Sequence, residues 1–185
     1  MESLISTLIT LTLLLVAATV NATLITSGSW VGNGSYYEVH TYAGVSWDQA
    51  DAALGSGFHL ATITEVGEQA FIEGLLAGYH GEYWLGGFQD PVGTQSAGSN
   101  WTWATGEAWG YTNWAPGEAN DYYGPGSEQH LALWSNYDWQ WNDEGNLRNI
   151  TGYIAERVSI PEPASLAILG LGLIVLGFVR QYKYA

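Results

Sequence analysis

A chain of 185 residues with 18 Asp and Glu against 4 Lys and Arg carries a formal charge of −14. That balance suits one acidic domain with targeting segments and excludes nucleic acid as a partner, because phosphate contacts need Lys and Arg. Without cysteine there are no disulfides, no thiolate metal sites and no cysteine nucleophile, while 10 Trp, 12 Tyr and 24 Gly point to a loop-rich fold with a large aromatic content.

The chain opens on an apolar run, Leu4 to Val20, followed by Val20-Asn21-Ala22, a small-x-small site. Residues 1–22 read as a secretory signal peptide cleaved near Ala22. Glu2 stands where a basic residue is usual, and an uncleaved N-terminal anchor is the other reading. Ser35 to Tyr42 has the β-branched and aromatic content of a strand. Ser46 is a good N-cap for a helix through Leu54, with Asp48 in its first turn and Gly55 and Gly57 ending it. Thr64 is a second N-cap, and Ala70, Phe71, Leu75 and Leu76 give helical spacing up to Gly78. From there to Glu156 the chain is Gly-rich loop with short aromatic strands. Two helices followed by a mainly antiparallel sheet with long loops make an α+β domain, residues 23–157.

The C-terminus, residues 158–185, carries Pro161-Glu162-Pro163, the apolar stretch Ala164 to Val179, then Arg180 and Lys183. The stretch is slightly short of the roughly 20 residues of a spanning helix, and the basic residues beyond it would hold that end in the cytoplasm. Pro-Glu-Pro, a Gly-rich apolar helix and a basic end, in that order, resemble the PEP-CTERM signal of Gram-negative bacteria. The resemblance implies an exosortase as partner, transient membrane insertion of the tail as a transmembrane helix, and export to the cell surface or extracellular matrix after processing. A permanent membrane anchor is the alternative.

Within the domain, Trp84-Leu85-Gly86-Gly87, Trp101-x-Trp103-x-x-Gly106, Tyr111-x-x-Trp114, Glu118-Ala119-Asn120 with Glu128, and Trp141-Asn142-Asp143 follow one another in order. Trp47-x-x-Ala50 and His59 to Ile63 precede them, and Gly152 to Glu156 closes the domain. Together these residues, over roughly 36–156, resemble the C-type lectin family. The resemblance implies a C-type lectin-like fold whose long loops bind calcium and carbohydrate or polysaccharide. It assigns Glu118, Asn120, Glu128, Asn142 and Asp143 to both the ion and the sugar, with Asp90 and Asp121 as a possible auxiliary metal pair. Thr94 stands at a further, normally acidic, auxiliary position. The order Glu118-x-Asn120 is similar to that of members preferring mannose- or glucose-type hydroxyls. Calcium takes roughly six to eight oxygen ligands, and carboxylates beside amides also use both hydrogen-bonding capacities of a sugar hydroxyl.

Ala119 stands in place of the family's proline, which follows a cis bond. His130, Asn146, Ala155 and either Ala53 or Leu54 stand in place of its four disulfide cysteines. His130 is therefore expected to be structural, with His130 and Asn146 able to hydrogen-bond and Ala155 packing on Ala53 or Leu54. Trp47, Trp84, Trp101, Trp103, Trp114 and Trp141 match core positions. Tyr122, Tyr123, Trp134 and Trp139 are candidates to stack on a sugar ring.

Acids and Asn in Gly-rich loops also serve simply as solvated turn formers. On that reading the domain is a calcium-independent structural or adhesive matrix module. No enzyme is expected: nothing in the spacing supports a Ser-His-Asp arrangement or a hydrolytic carboxylate pair about 5–9.5 Å apart.

Overall fold

The computed structural model describes residues 22–94 and 96–158. The expected signal peptide and the Pro-Glu-Pro tail with its expected apolar helix fall almost wholly outside the described residues. Among the described residues no helix is long and apolar enough to cross a membrane.

The strands are β1 (Thr23–Ser29), β2 (Tyr36–Thr41), β3 (His59–Leu60), β4 (Glu82–Gln89), β5 (Trp101–Trp103), β6 (His130–Trp134), β7 (Gln140–Glu144) and β8 (Ile150–Arg157). They form one sheet in the order β1-β2-β8-β4-β6-β7, with β3 on β8 and β5 on β4. Only the β4–β8 pairing among these strands is parallel. Tyr36 pairs with Arg157, so the last strand runs antiparallel beside β2.

Helix α1 (Trp47–Ala52) starts where its sequence predicts. Ser46 Oγ accepts from Gln49 N, and Gln49 returns its side chain to Ser46 N, a complete capping box. Two indoles then clasp this segment to β4: Trp47 Nε1 donates to Leu85 O at 2.7 Å and Trp84 Nε1 to Val45 O at 2.9 Å.

Helix α2 (Val66–Leu75) departs from expectation. Its N-cap is Glu65, not Thr64; the Thr64 hydroxyl is instead engaged by the Glu68 carboxylate, which accepts from Thr64 N at 2.6 Å and Oγ1 at 3.2 Å. Ala70 is exposed, and Glu68, Gln69 and Ile72 face inward. The inner face of α2 is polar because it meets polar partners. Glu68 accepts from Asn33 Nδ2 and the Tyr37 hydroxyl, and Gln69 accepts from an indole.

Two apolar clusters flank the sheet. The larger holds Tyr37, Ile63, Ile72, Tyr83, Leu85, Trp103, Leu131 and Trp141, with Trp109, Trp114 and Tyr111 packed on it. Trp141 is fully buried, meeting Trp103 and Trp114 edge-on at 5.6 and 5.7 Å and Tyr111 at 5.7 Å. The smaller gathers Val45, Leu60, Trp84, Tyr153 and Ala155. Ala155 and Leu54 share it, the expected apolar pairing of Ala155 with Ala53 or Leu54. The other pair does not hydrogen-bond as anticipated: Asn146 Nδ2 donates to the Tyr123 hydroxyl at 2.8 Å. His130 instead stacks on Trp47 at 5.0 Å, and burial pushes its imidazole pKa down, toward the neutral form. Rings and methyl packing thus occupy these positions.

Candidate functional site

Trp141 sets the site by anchoring the strand next to it. Its indole donates to Gln69 Oε1 at 2.9 Å, its backbone N to Asn113 O at 2.8 Å, and its carbonyl accepts from Ala115 N at 2.9 Å. The segment through Trp114 is thereby held along β7, and the Glu118–Asn120 loop arrives beside Asn142 and Asp143.

Asp143 is fully buried beneath that loop. Its Oδ1 accepts from Asn120 N at 2.9 Å and its Oδ2 from Asp121 N at 2.8 Å. Asp121 staples the next turn, accepting from Glu128 N at 3.1 Å and Gly126 N at 3.0 Å. Glu128 Oε2 in turn accepts from Tyr122 N at 2.6 Å. Three carboxylates thus organise one irregular loop through its own amides. The Glu118–Ala119 peptide is cis, as is Asp90–Pro91.

Above this framework lies a cavity of about 260 Å³, lined by Glu118, Asn120, Glu128, Asn142, Glu144 and Asn149 with Tyr122, Tyr123, Trp134 and Tyr137. Four of the five residues singled out for ion and sugar line it, and the fifth, Asp143, lies under the loop. Asp90 is exposed at the end of β4 and Asp121 is committed to loop amides; neither lines the cavity. Of the four candidate stacking rings, Tyr122, Tyr123 and Trp134 line it. Trp139 packs on the core, 6.0 Å from Tyr83.

The electrostatics are those of crowded acids. Burial, then hydrogen bonding and repulsion from Asp143, push Glu118 up to about 7, while the Tyr137 hydroxyl opposes the shift. Burial pushes Glu128 up to about 7, against the Tyr122 amide and with repulsion from Asp143 and Glu144. Beneath them Glu82 is fully buried, accepts from Asn142 Nδ2 at 2.8 Å, and is raised to about 9, chiefly by burial and then by Glu144.

Sequence reasoning did not reach Glu82, Glu144 or Tyr137. Glu144 directly extends Trp141-Asn142-Asp143, and Glu82 is an acid at the head of an otherwise apolar and aromatic strand. Both were signals in plain view. Tyr137 sits on a 3-10 turn, Ser135–Tyr137, and is brought to the cavity only by the β6–β7 connection.

As a donor set, carboxylates and side-chain amides suit a hard cation. Oxygens Glu118 Oε2 and Glu82 Oε2 are buried with no hydrogen-bond partner among the described residues. The acids are not gathered into a ready ligand cage, however: among the described residues no three Asp, Glu or His side chains stand grouped to hold a metal ion.

Comparison with known proteins agrees with this architecture. The chain aligns with a calcium-independent type II antifreeze protein at 26% identity and a TM-score of 0.57, covering 75% of this chain and 98% of that one. It aligns with the C-type carbohydrate-recognition domain of cow CD23, crystallised with a GlcNAc2Man3 oligosaccharide, at 23% identity and a TM-score of 0.56, covering 68% and 89%. The domain is C-type lectin-like. In sequence it is 31% identical over 112 residues to mouse C-type mannose receptor 2, which spans 56% of this chain but only 7% of the receptor. The lectin-like domain is followed by a PEP-CTERM protein-sorting motif matching residues 159–181. That motif marks the chain for export and surface sorting.

Proposed function

We propose that this protein is an exported carbohydrate-binding module of the cell surface or extracellular matrix, a binding protein rather than an enzyme. The observation that carries the proposal is the cavity itself. Carboxylates and amides from the Glu118–Glu128 segment and from β7 converge there with four aromatic rings, the combination that binds hydroxyls by paired donors and acceptors and covers the apolar face of a sugar. At about 260 Å³ it falls just below the roughly 300–1,000 Å³ of drug-sized pockets, a volume for about one ring.

Calcium would be held by Glu118, Asn120, Glu128, Asn142 and Asp143. It would neutralise the crowded acids and offer coordination sites to vicinal hydroxyls. The residues themselves orient the sugar: Asn120 and Asn142 donate and Glu118 and Glu128 accept. Residues 1–22 would be removed on export. The tail, 158–185, would insert transiently in the membrane until an exosortase removes it.

Titration with mannose-, glucose- and galactose-type oligosaccharides, in calcium and in chelator, tests the proposal. Binding in calcium that chelator and Asp143→Ala both abolish supports it. Absence of binding to any sugar in calcium refutes it.

A calcium-independent module is favoured by one observation: Asp143, Asp121 and Glu128 already hold the loop through backbone amides. As a structural or adhesive matrix module it would bind no sugar either in calcium or in chelator, and that outcome would select this reading.

A further inference from the structure

The walls and the charge of the cavity together describe a ligand more narrowly than hydroxyl recognition does. Tyr122 and Tyr123 are 77% and 58% exposed, large rings left open to solvent beside the acids, and they meet perpendicular at 5.1 Å. Trp134 and Tyr137 form a second edge-on pair at 4.8 Å. Both pairs line the same space as Glu118, Glu128 and Glu144. Below lies Glu82, 0% exposed, whose electrostatic neighbours include Glu144 and Glu128 on the cavity wall. One Glu82 oxygen accepts from Asn142, and Oε2 is buried without a hydrogen-bond partner among the described residues.

Among the described residues no Lys or Arg lines the cavity. Arg157 lies over Tyr36 and Phe58, and Arg148 is exposed, next in sequence to Asn149 on the rim. Aromatic faces attract a cation through their quadrupole, and carboxylates give an ammonium group its strongest hydrogen bonds. The same cavity repels a carboxylate or a sulfate. A single divalent ion would not reverse this, since Glu118, Glu128, Asp143 and Glu144 together carry more formal negative charge than it supplies.

We propose that the cavity selects sugars bearing a free amino group, as in de-N-acetylated glycans, over their N-acetylated counterparts, and rejects uronic acids. This rests on the carbohydrate reading above and narrows its ligand class. In a glucosamine-type ring the ammonium would sit beside Glu144, the lining acid outside the calcium ligand set, with Tyr122 or Tyr137 against its face.

Calorimetry on the whole chain, at physiological salt and both with and without calcium, provides the test. Four tetrasaccharides serve as probes: free-amine glucosamine, its N-acetylated form, a neutral glucose oligomer and a uronate. The free-amine ligand is expected to bind about tenfold tighter than the N-acetylated one, the order of one cation–π contact with its charged hydrogen bonds, and the uronate not at all. Tyr122→Ala, at a position too exposed to threaten folding, and Glu144→Gln should each reduce that preference severalfold. Glu107→Gln, an exposed acid outside the cavity, should leave it unchanged. Equal binding of free-amine, N-acetylated and neutral sugars overturns the inference while leaving carbohydrate binding intact. Binding of none overturns both. A free-amine preference that survives both cavity variants is general attraction to an acidic protein and also overturns the inference.

Discussion

Replacing Glu128 with Gln should make the calcium-free protein more stable at alkaline pH while removing its response to calcium. Glu128 is 3% exposed, and its carboxyl is pushed from 4.5 to about 7 by burial and by Asp143 and Glu144. That displacement corresponds to about 3 kcal/mol of preference for the protonated form. Because the folded-state value is raised, the associated stability is fully present below 4.5 and is lost as pH climbs through about 7. At pH 8 the wild type therefore carries an ionised, crowded carboxylate. Gln keeps an oxygen to accept from Tyr122 N and carries no charge. In chelator, Glu128→Gln should melt higher than wild type at pH 8, by about 10 °C if the whole difference of ~3 kcal/mol is recovered, and should match it near pH 4. Calcium at about 100 times its dissociation constant should raise the wild type by roughly 2.7 kcal/mol and the variant by little. Paired melts at the two pH values, with and without calcium, read all of this. A variant less stable than wild type at pH 8 in chelator, or an offset that does not change with pH, would refute the reasoning.

Trp141→Phe leaves buried Gln69 Oε1 without its indole donor and opens space among Trp103, Trp114 and Tyr111, so a loss of about 2–4 kcal/mol is expected in urea denaturation. Combined with Gln69→Leu, the effect should be less than additive by about 1 kcal/mol, because both polar partners are then gone. Gly145→Ala would set a methyl 2.0 Å from the Ser127 carbonyl, so the Glu128 segment must move; weaker ligand binding with a lowered melting temperature is expected, and unchanged affinity would count against this packing. Tyr37→Phe removes the hydroxyl that binds both Glu68 and Glu156, at about 1–3 kcal/mol. Burial raises Glu156, so the fold is most stable with that carboxyl protonated and loses stability as pH rises from the ordinary carboxylate range; the Tyr37 hydroxyl relieves the ionised form, so that loss should be steeper in the variant, a slope that melts across pH 4 to 8 would measure.

Local chemistry was the legible part of the sequence. Ser46 and Gln49 write a complete capping box within four residues, and Tyr36 to Thr41 alternates as a paired strand should. α2 was read less well because its buried face is Glu68 and Gln69. Those polar residues make sense only beside Tyr37 and Trp141, which lie 31 and 72 residues away in the chain. β1 was missed for a related reason: Thr23–Ser29 is mostly exposed or half-buried and is ordered by its pairing with β2. The candidate site divides along the same line. Contiguous motifs pointed to Glu118, Asn120 and Asn142, whereas Glu82, Glu144 and Tyr137 join the site through strand order, which no local pattern encodes. His130 shows the converse. Its sequence position predicted a structural role, but its partner is the Trp47 ring, not Asn146.

The loop framework also bears on what a cation would do here. The sequence resemblance assigns Asp143 to ion and sugar, yet its two oxygens accept three contacts from the amides of Asn120 and Asp121. A carboxylate has roughly four lone-pair sites, so most of its capacity is already used to bind the loop to β7. Asp121 and Glu128 use their oxygens in the same way on Gly126, Glu128 and Tyr122 amides. The backbone that shapes the cavity is thus held by carboxylate–amide bonds that do not depend on a metal. What those bonds leave unrelieved is charge, concentrated on Glu118, Glu128 and Glu144 above buried Glu82, whose burial favours its protonated form. A bound cation, whether a metal ion or an ammonium group on the ligand, would act chiefly by neutralising that charge. On this account the acids have separable duties: Asp121 and Asp143 maintain the shape of the loop, and the glutamates set the sign of what enters.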